Sequence, residues 1–262
     1  EKQLAEMMML EHDLPDEIKR WELHNAAFSG NTESVQLLLV SNQAQINLHD
    51  THLRTALFYA IVRGNGETVK SLLEFGACMR VQSQPQIHAL WLASAQGDGE
   101  VVKILIEAGA QLQGFSLNES LEVAAQRGHE SVVKIIMDAG AQIDYQSYDD
   151  GRTALMSAAA KGNFEVVVIL VNAGAQVDLK DMYGETALMK TAQAGNSRIA
   201  KLLLDSGANV HLVDHKGQAA LQLTHQLHKD TSNVLNLLAS MANADSLVHT
   251  EQLCFICCKQ PR

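Results

Sequence analysis

Glycine recurs along this chain at a spacing that few folds can accommodate. Gly30, Gly64, Gly97, Gly128, Gly162 and Gly195 stand 34, 33, 31, 34 and 33 residues apart by subtraction. Twelve residues beyond each lies a second marker: Asn42, then Gly76, Gly109, Gly140, Gly174 and Gly207, the last five each followed by Ala. A period near 33 residues is the signature of a stacked repeat, in which no unit buries its apolar face alone and its neighbours supply the missing core.

Within each period the pattern reads as helix, tight turn, helix and loop, most clearly over Gly151 to Asp178. Ahead of the first glycines come Leu23, Leu57, Leu90, Leu121, Leu155 and Leu188. Four residues before them stand Ala26, Ala60, Ala93, Ala124, Ala158 and Thr191, small enough to let neighbouring helices approach closely. Asn31, Asn65, Asp98, Asn163 and Asn196 follow the glycine directly, where their side chains can accept hydrogen bonds from free helix N–H groups. Glu33, Glu67, Glu100 and Glu165 then occupy the first turn, the end of the helix dipole that favours negative charge. The second marker suits a helix C-terminus, where a left-handed backbone costs glycine least. The run Val166 to Val171 could be mistaken for a buried strand. Its sister segments carry Lys70, Lys103, Lys134 and Lys201 at the position of Val168, which marks it as a helix with one polar slot, and Leu170 is expected at a repeat interface.

These residues resemble the ankyrin-repeat family, whose unit reads Asp-x-x-Gly-x-Thr-Pro-Leu-His-x-Ala-Ala-x-x-Gly and ends Leu-Leu-x-x-Gly-Ala. Matches include Thr55-Ala-Leu57, Thr153-Ala-Leu155 and Asp181-Met-Tyr-Gly184-Glu-Thr186-Ala-Leu188. The resemblance implies an all-α ankyrin-repeat solenoid of stacked helix-turn-helix units with projecting hairpin loops. It covers residues 21 to 244, as about six repeats and a degenerate C-terminal cap running from Asp214-His-Lys-Gly217 to Ala239. The chain departs from the family in lacking the Pro throughout. His88-Ala-Leu90 and Glu119-Ser-Leu121 have also lost the Thr, and a truncated or irregular hairpin is expected over Gly114 to Asn118. Residues 1 to 20 read as an N-terminal helix over Lys2 to His12 that caps the first repeat.

Composition narrows the class further. Of 262 residues 47% are hydrophobic and 19% charged, which provides for a sizeable core and argues against wholesale disorder. Aromatics make up 5%, so the core must be mainly Ala, Leu, Val and Ile, which favours packed helices over a sandwich or barrel. A net charge of −10 and no basic stripe argue against nucleic acid as partner. No apolar run is long enough to insert in a bilayer, no signal-peptide pattern is present, and the four cysteines form no spaced disulfide framework. A cytoplasmic or nuclear location is expected, and the start at Glu1 suggests a fragment or a processed product.

Motifs for catalysis are weak. Gly64-Asn-Gly66 lacks the third glycine and the Lys-Ser/Thr pair of a phosphate loop, and neither a Gly-x-Ser-x-Gly elbow nor a His-Glu-x-x-His appears. Asn118-Glu-Ser120 is a sequon by pattern only. His225 and His228 could join His215 at a metal, but nothing in register completes the ligands; capping or surface roles fit better. Phe58 and Trp91 stand where the family has His and are expected to pack between repeats. The chain is therefore read as a non-enzyme without a cofactor, and a small-molecule substrate is not expected. The tail over 245 to 262 holds Cys254-Phe-Ile-Cys257-Cys258, a Cys-x-x-Cys pair of zinc-knuckle spacing. If the chain continues, Cys254 and Cys257 could open a RING-type zinc domain and make the repeats the substrate-recruiting part of an E3 ubiquitin ligase; otherwise the tail is an amphipathic end helix.

The resemblance also implies where a protein or peptide partner would bind: on the concave side, at hairpin tips and the exposed ends of the first helices. On this sequence those slots hold Thr51, His52, Arg54 and Arg63; Asp149, Asp150, Arg152 and Lys161; Met182, Tyr183, Glu185 and Gln193; and His215 and Lys216. Tyr148 takes the family's Asp slot. Aromatics and Arg among acidic neighbours suit a protein surface, because such side chains supply binding energy at low entropic cost.

Overall fold

A computed structural model describes residues 22–41, 45–82, 87–109, 116–224 and 233–241. The expected N-terminal cap helix, Asn42, His225, His228, Cys254 and Cys257 lie outside the described residues. Helices follow one another in pairs: α1 (Glu22–Ser29) with α2 (Thr32–Val40), α3 (Ala56–Val62) with α4 (Gly66–Glu74), α5 (Ala89–Gln96) with α6 (Gly99–Glu107), and α7 (Ser116–Arg127) with α8 (Glu130–Asp138). The series continues with α9 (Ala154–Lys161) and α10 (Phe164–Asn172), then α11 (Ala187–Ala194) and α12 (Ser197–Asp205), and closes on α13 (Ala220–Thr224) and a helical stretch over 233–241.

The two glycine series do what their spacing requires. The six between paired helices have φ between 66° and 82°, and the five at the ends of second helices have φ between 86° and 95°. L-residues with a side chain rarely adopt this left-handed backbone, which is why the period is written in glycine. First helices start on threonine: Thr55, Thr153 and Thr186 each accept a hydrogen bond through Oγ1 from an N–H three residues on. His88, where that threonine is lost, makes no such cap. Here the chain adds a short antiparallel pair, β1 (Arg80–Gln82) with β2 (Ile87–His88), to an otherwise helical repeat.

Two compact units are distinguished, one taking the residues up to Ala124 with Ser131–Ala141, the other Ala125–Glu130 and the residues from Gln142 on. In the first, α1, α3 and α5 pack side by side in one layer and α2, α4 and α6 in another; in the second, α9, α11 and α13 form one layer and α10 and α12 the other. Ala60, Ala93, Ala158 and Thr191 are fully buried in the first-helix layers, as their size predicts. Leu170 is fully buried, a position that stabilises by roughly 1.5–3 kcal/mol. The slot held by Lys70, Lys103, Lys134 and Lys201 is exposed, whereas Val168 is half-buried. Phe58 is fully buried and Trp91 packs on Ala95 and Val123, both in the packing role expected of them.

Two local expectations need correcting. Asn31, Asp98 and Asn196 do accept from the first turn of their helices, but Asn65 and Asn163 do not. Their Nδ2 groups point backward instead: Asn65 donates to Ala27 O at 3.1 Å and Phe28 O at 3.4 Å, and Asn163 to Ala125 O at 2.8 Å and Gln126 O at 2.9 Å. The previous repeat's terminal carbonyls lack intrahelical partners, and they compete successfully for the amide. Second, of the hairpin expected over Gly114 to Asn118, the described part is helical: Ser116 to Asn118 begin α7, which at 12 residues is longer than α3, α5, α9 or α11.

Candidate partner-binding site

One hairpin design recurs in front of the first helices. In Asp181–Glu185 the Asp181 N–H donates to Glu185 O at 3.0 Å, while its Oδ1 accepts from the N–H groups of Tyr183 and Glu185, both at 2.9 Å. Asp214 does the same with Lys216 and Gln218, both at 2.8 Å, and Asp50 with His52 at 2.8 Å and Arg54 at 2.9 Å. The aspartate thus ties the loop from inside and leaves the next two side chains pointing outward. Met182 and Tyr183 are 56% and 59% exposed, and Thr51, His52, His215 and Lys216 are exposed as well. In the second unit neighbouring tips are joined through backbone: Met182 N–H donates to Asp150 O at 2.9 Å and His215 N–H to Tyr183 O at 3.1 Å. A Cβ on Gly184 would sit 2.9 Å from the His215 nitrogen, so glycine there serves both φ and close approach.

The fifth-copy hairpin carries one extra residue. Ser147, not Tyr148, takes the aspartate's backbone role, donating its N–H to Arg152 O at 2.9 Å. Asp150 supplies the missing carboxylate from the other end, accepting from Ser147 Oγ at 2.7 Å and the Arg152 N–H at 3.1 Å. Tyr148 and Asp149 are thereby lifted into the tip. Tyr148 is 69% exposed, with its ring edge-on to Tyr145 at 6.2 Å.

Six of the expected residues, Arg152, Tyr183, Glu185, Gln193, His215 and Lys216, line a single cavity of about 410 Å³ in the second unit. Asp150 sits at its rim by way of Arg152, whose Nε lies 3.0 Å from Asp150 Oδ2. Lys161 is exposed at the other end of α9 and is not among the lining residues.

Lys190 and Asp214 complete the lining, and sequence reasoning missed both. Lys190 is 4% exposed; its Nζ lies 2.8 Å from Asp181 Oδ2, contacts Glu185 Oε2, and sits 5.8 Å from the centre of the Tyr183 ring. Glu185 Oε1 accepts from Gln193 Nε2 at 2.5 Å. Hairpin and helix are therefore locked by a buried cation between two carboxylates, beneath an exposed tyrosine. A signal existed: Lys190 occupies a first-helix slot that holds Tyr59, Leu92 and Ser157 in other copies.

The four first-unit residues form a separate group. Thr51 Oγ1 lies 3.3 Å from His52 Nδ1 on an exposed tip, and exposed Arg63 lies over the Phe28 ring at 4.8 Å. Arg54 departs from the expected exposed slot, being 6% exposed. Its Nε donates to Asp50 Oδ2 at 3.1 Å, and its guanidinium lies over the rings of Phe58 and Tyr59. Tyr59 donates to the same carboxylate at 2.5 Å. Burial works to raise the Asp50 carboxyl, but the Tyr59 and Arg54 hydrogen bonds hold it below the usual carboxylate range. Burial and that carboxylate push the Tyr59 hydroxyl well up. Behind them the buried His24 Nε2 lies 3.1 Å from Leu48 O and 3.2 Å from Arg54 O, and burial lowers its pKa.

Among the described residues no group of three or more His, Cys, Asp or Glu could hold a metal ion, and no helix is long and apolar enough to cross a membrane. The chain matches the family model described as "Ankyrin repeats (3 copies)" over residues 23–116 and again over 121–214. It belongs to the ankyrin-repeat family, whose domains are in general protein-interaction modules rather than enzymes. No curated protein matches it. Among solved structures it is similar to the ankyrin repeat domain of human ASB11, with a TM-score of 0.72 and 27% identity over 82% of this chain and 96% of that one. It is also similar to the ankyrin repeat domain of Bcl-3, a member of the IkappaB protein family, with a TM-score of 0.69 and 22% identity over 83% and 97% of the two chains. At that identity the second likeness shows the fold alone.

Proposed function

We propose that this chain binds a protein or peptide partner through the hairpin tips and first-helix ends of its second unit, centred on the cavity beneath Tyr183. The observation that carries this reading is convergence: six side chains chosen from equivalent repeat slots line one 410 Å³ cavity. That volume lies within the roughly 300–1,000 Å³ of ligand pockets. Tyr183 in the lining and Tyr148 and Met182 on the adjoining tips are each more than half exposed. Exposed aromatic and Met side chains on a rigid frame give contact area at small entropic cost. Thr51, His52 and Arg63 are a separate candidate group on the first unit, while Arg54 supports its own hairpin from within. The test is affinity capture from cell extract with the native chain and with Tyr183→Ala combined with Arg152→Ala. The double variant is expected to lose the main captured partner and keep its thermal melt; equal capture would remove this surface from consideration.

A further inference from the structure

Glu185 is engaged through both oxygens and Asp214 through one, while several of the cavity's donors are open. Glu185 gives one oxygen to Lys190 and the other to Gln193. Asp214 is buried, with Oδ1 taken by two backbone N–H groups. Lys216, in contrast, is exposed, and its ammonium has no partner among the described residues. Arg152 has one carboxylate contact, through Nε, which leaves most of the donors of its fork without a partner among the described residues. His215 is exposed beside them. The donors left open at the mouth are therefore those of Lys216 and of the Arg152 fork, on a chain whose net charge is −10. A guest with a positive charge would compete with Lys190 for Glu185 or meet Lys216 and Arg152 head-on. A carboxylate would find a planar fork and an ammonium with geometry suited to it.

The apolar ridge identifies the kind of guest. Tyr148 and Met182 stand exposed on adjoining tips outside the lining, and a small organic acid in the cavity would leave both uncovered. An extended chain that places one acidic side chain in the cavity would lay its neighbouring residues on them. Resting on the binding function proposed above, we propose that the cavity receives the side-chain carboxylate of an Asp or Glu from a partner peptide, held by Arg152 and Lys216 beside Tyr183. The next apolar residue of the peptide then packs on Met182.

Fluorescence anisotropy with the full chain tests this, using three pools of labelled, N-acetylated and C-amidated octapeptides. The pools have Asp or Glu, Asn or Gln, and Lys or Arg at one central position, with an apolar residue beside it and all other positions mixed. The acidic pool is expected to bind roughly tenfold or more tighter than the amide pool, the scale of one charge-assisted hydrogen bond. That difference should shrink as sodium chloride is raised. Lys216→Glu, a change at an exposed site, is expected to erase the preference, and Lys216→Arg to keep it. A fourth pool, with amide residues at the centre and a free C-terminus, should gain nothing over its amidated counterpart; a gain there would assign the site to terminal carboxylates and overturn the proposal. Equal binding of acidic and amide pools, absence of binding by every pool, or a preference unchanged by Lys216→Glu would overturn it too. Should Tyr183→Ala lose the captured partner while Lys216→Glu does not, the binding function stands and the carboxylate assignment falls. Should neither variant matter, both fall.

Discussion

Two hairpin-helix junctions occupy the same slots in different copies and use them in opposite ways. At the first, Asp50 gathers Arg54 and Tyr59; the Asp50 side chain is 1% exposed and that of Arg54 8%, and the network is closed under two aromatic rings. At the second, Asp181 gathers Glu185 and Lys190 in the corresponding positions, and the network forms the wall of a cavity. The aspartate's duty to the loop backbone is identical in both. What differs are the residues four and nine positions on: Arg54 and Tyr59 fill the space with a guanidinium and a ring, whereas Glu185 and Lys190 line an open cavity. The lesson is that the ankyrin hairpin is a frame, and that two side-chain choices decide whether it is sealed or presents a site.

The two junctions differ most in what the loss of a buried partner does at Asp50. Asp50→Ala leaves the Arg54 charge buried and unpaired, and should destabilise the chain by about 3–5 kcal/mol in urea unfolding while partner capture from the folded protein persists. Lys190→Met should cost a similar amount, because it leaves the fully buried Asp181 Oδ2 without its counter-ion even if Glu185 turns toward the cavity and regains water; unlike Asp50→Ala, it should also weaken partner capture. If the two variants exchanged these outcomes, the division into sealed and open junctions would be wrong.

Acid should also separate the two junctions. His24 has its pKa lowered by burial, so the unfolded chain takes up that proton first as pH falls below the ordinary 6.5. Its contribution to stability is complete above that pH and is lost on the way down to the folded-state pKa. Asp50, also lowered, keeps its contribution until pH falls below the ordinary 3.8. Denaturant unfolding across pH is expected to show a loss beginning below 6.5 that His24→Gln reduces and Lys190→Met leaves in place. The smallest effect is at Leu53, the one non-glycine among the described residues with positive φ, 61°, in the slot that Gly184 and Gly217 fill elsewhere. Leu53→Gly should stabilise the sealed hairpin by about 1 kcal/mol, measured by the same unfolding experiment.

Much of the fold was legible because it is written in residues whose reasons are local. A left-handed turn asks for glycine and a helix start asks for threonine, so Gly30 to Gly207 and Thr55, Thr153 and Thr186 announce themselves without neighbours. The lining of the cavity was legible for a related reason: the hairpins begun by Asp50, Asp181 and Asp214 hold their two tip residues outward, so Tyr183, His215 and Lys216 can be counted from the repeat. The misreadings share the opposite cause. Arg54 turns inward because Asp50 and the Phe58 and Tyr59 rings receive it, and Asn65 turns backward to the Ala27 and Phe28 carbonyls at the end of the preceding repeat's first helix; both depend on partners that spacing cannot see. Counting back from Thr153 placed Tyr148 in the aspartate slot, but an extra loop residue moved that role to Ser147. Lys190 went unnoticed because a lysine inside a helix ordinarily reads as solvated, and only Asp181 and Glu185 together make its burial affordable.

In the binding mode proposed above, the open junction of the second unit, and not the sealed one of the first, holds the partner. Photo-cross-linking with a benzophenone residue introduced at Met182 or, in a parallel protein, at His52 tests it most directly, both positions being exposed hairpin tips. Incubated with cell extract, the Met182 probe is expected to join a discrete partner band that Tyr183→Ala with Arg152→Ala abolishes, while the His52 probe gives a weaker band or none. A partner joined through His52 alone, or a Met182 adduct indifferent to the double variant, would contradict it.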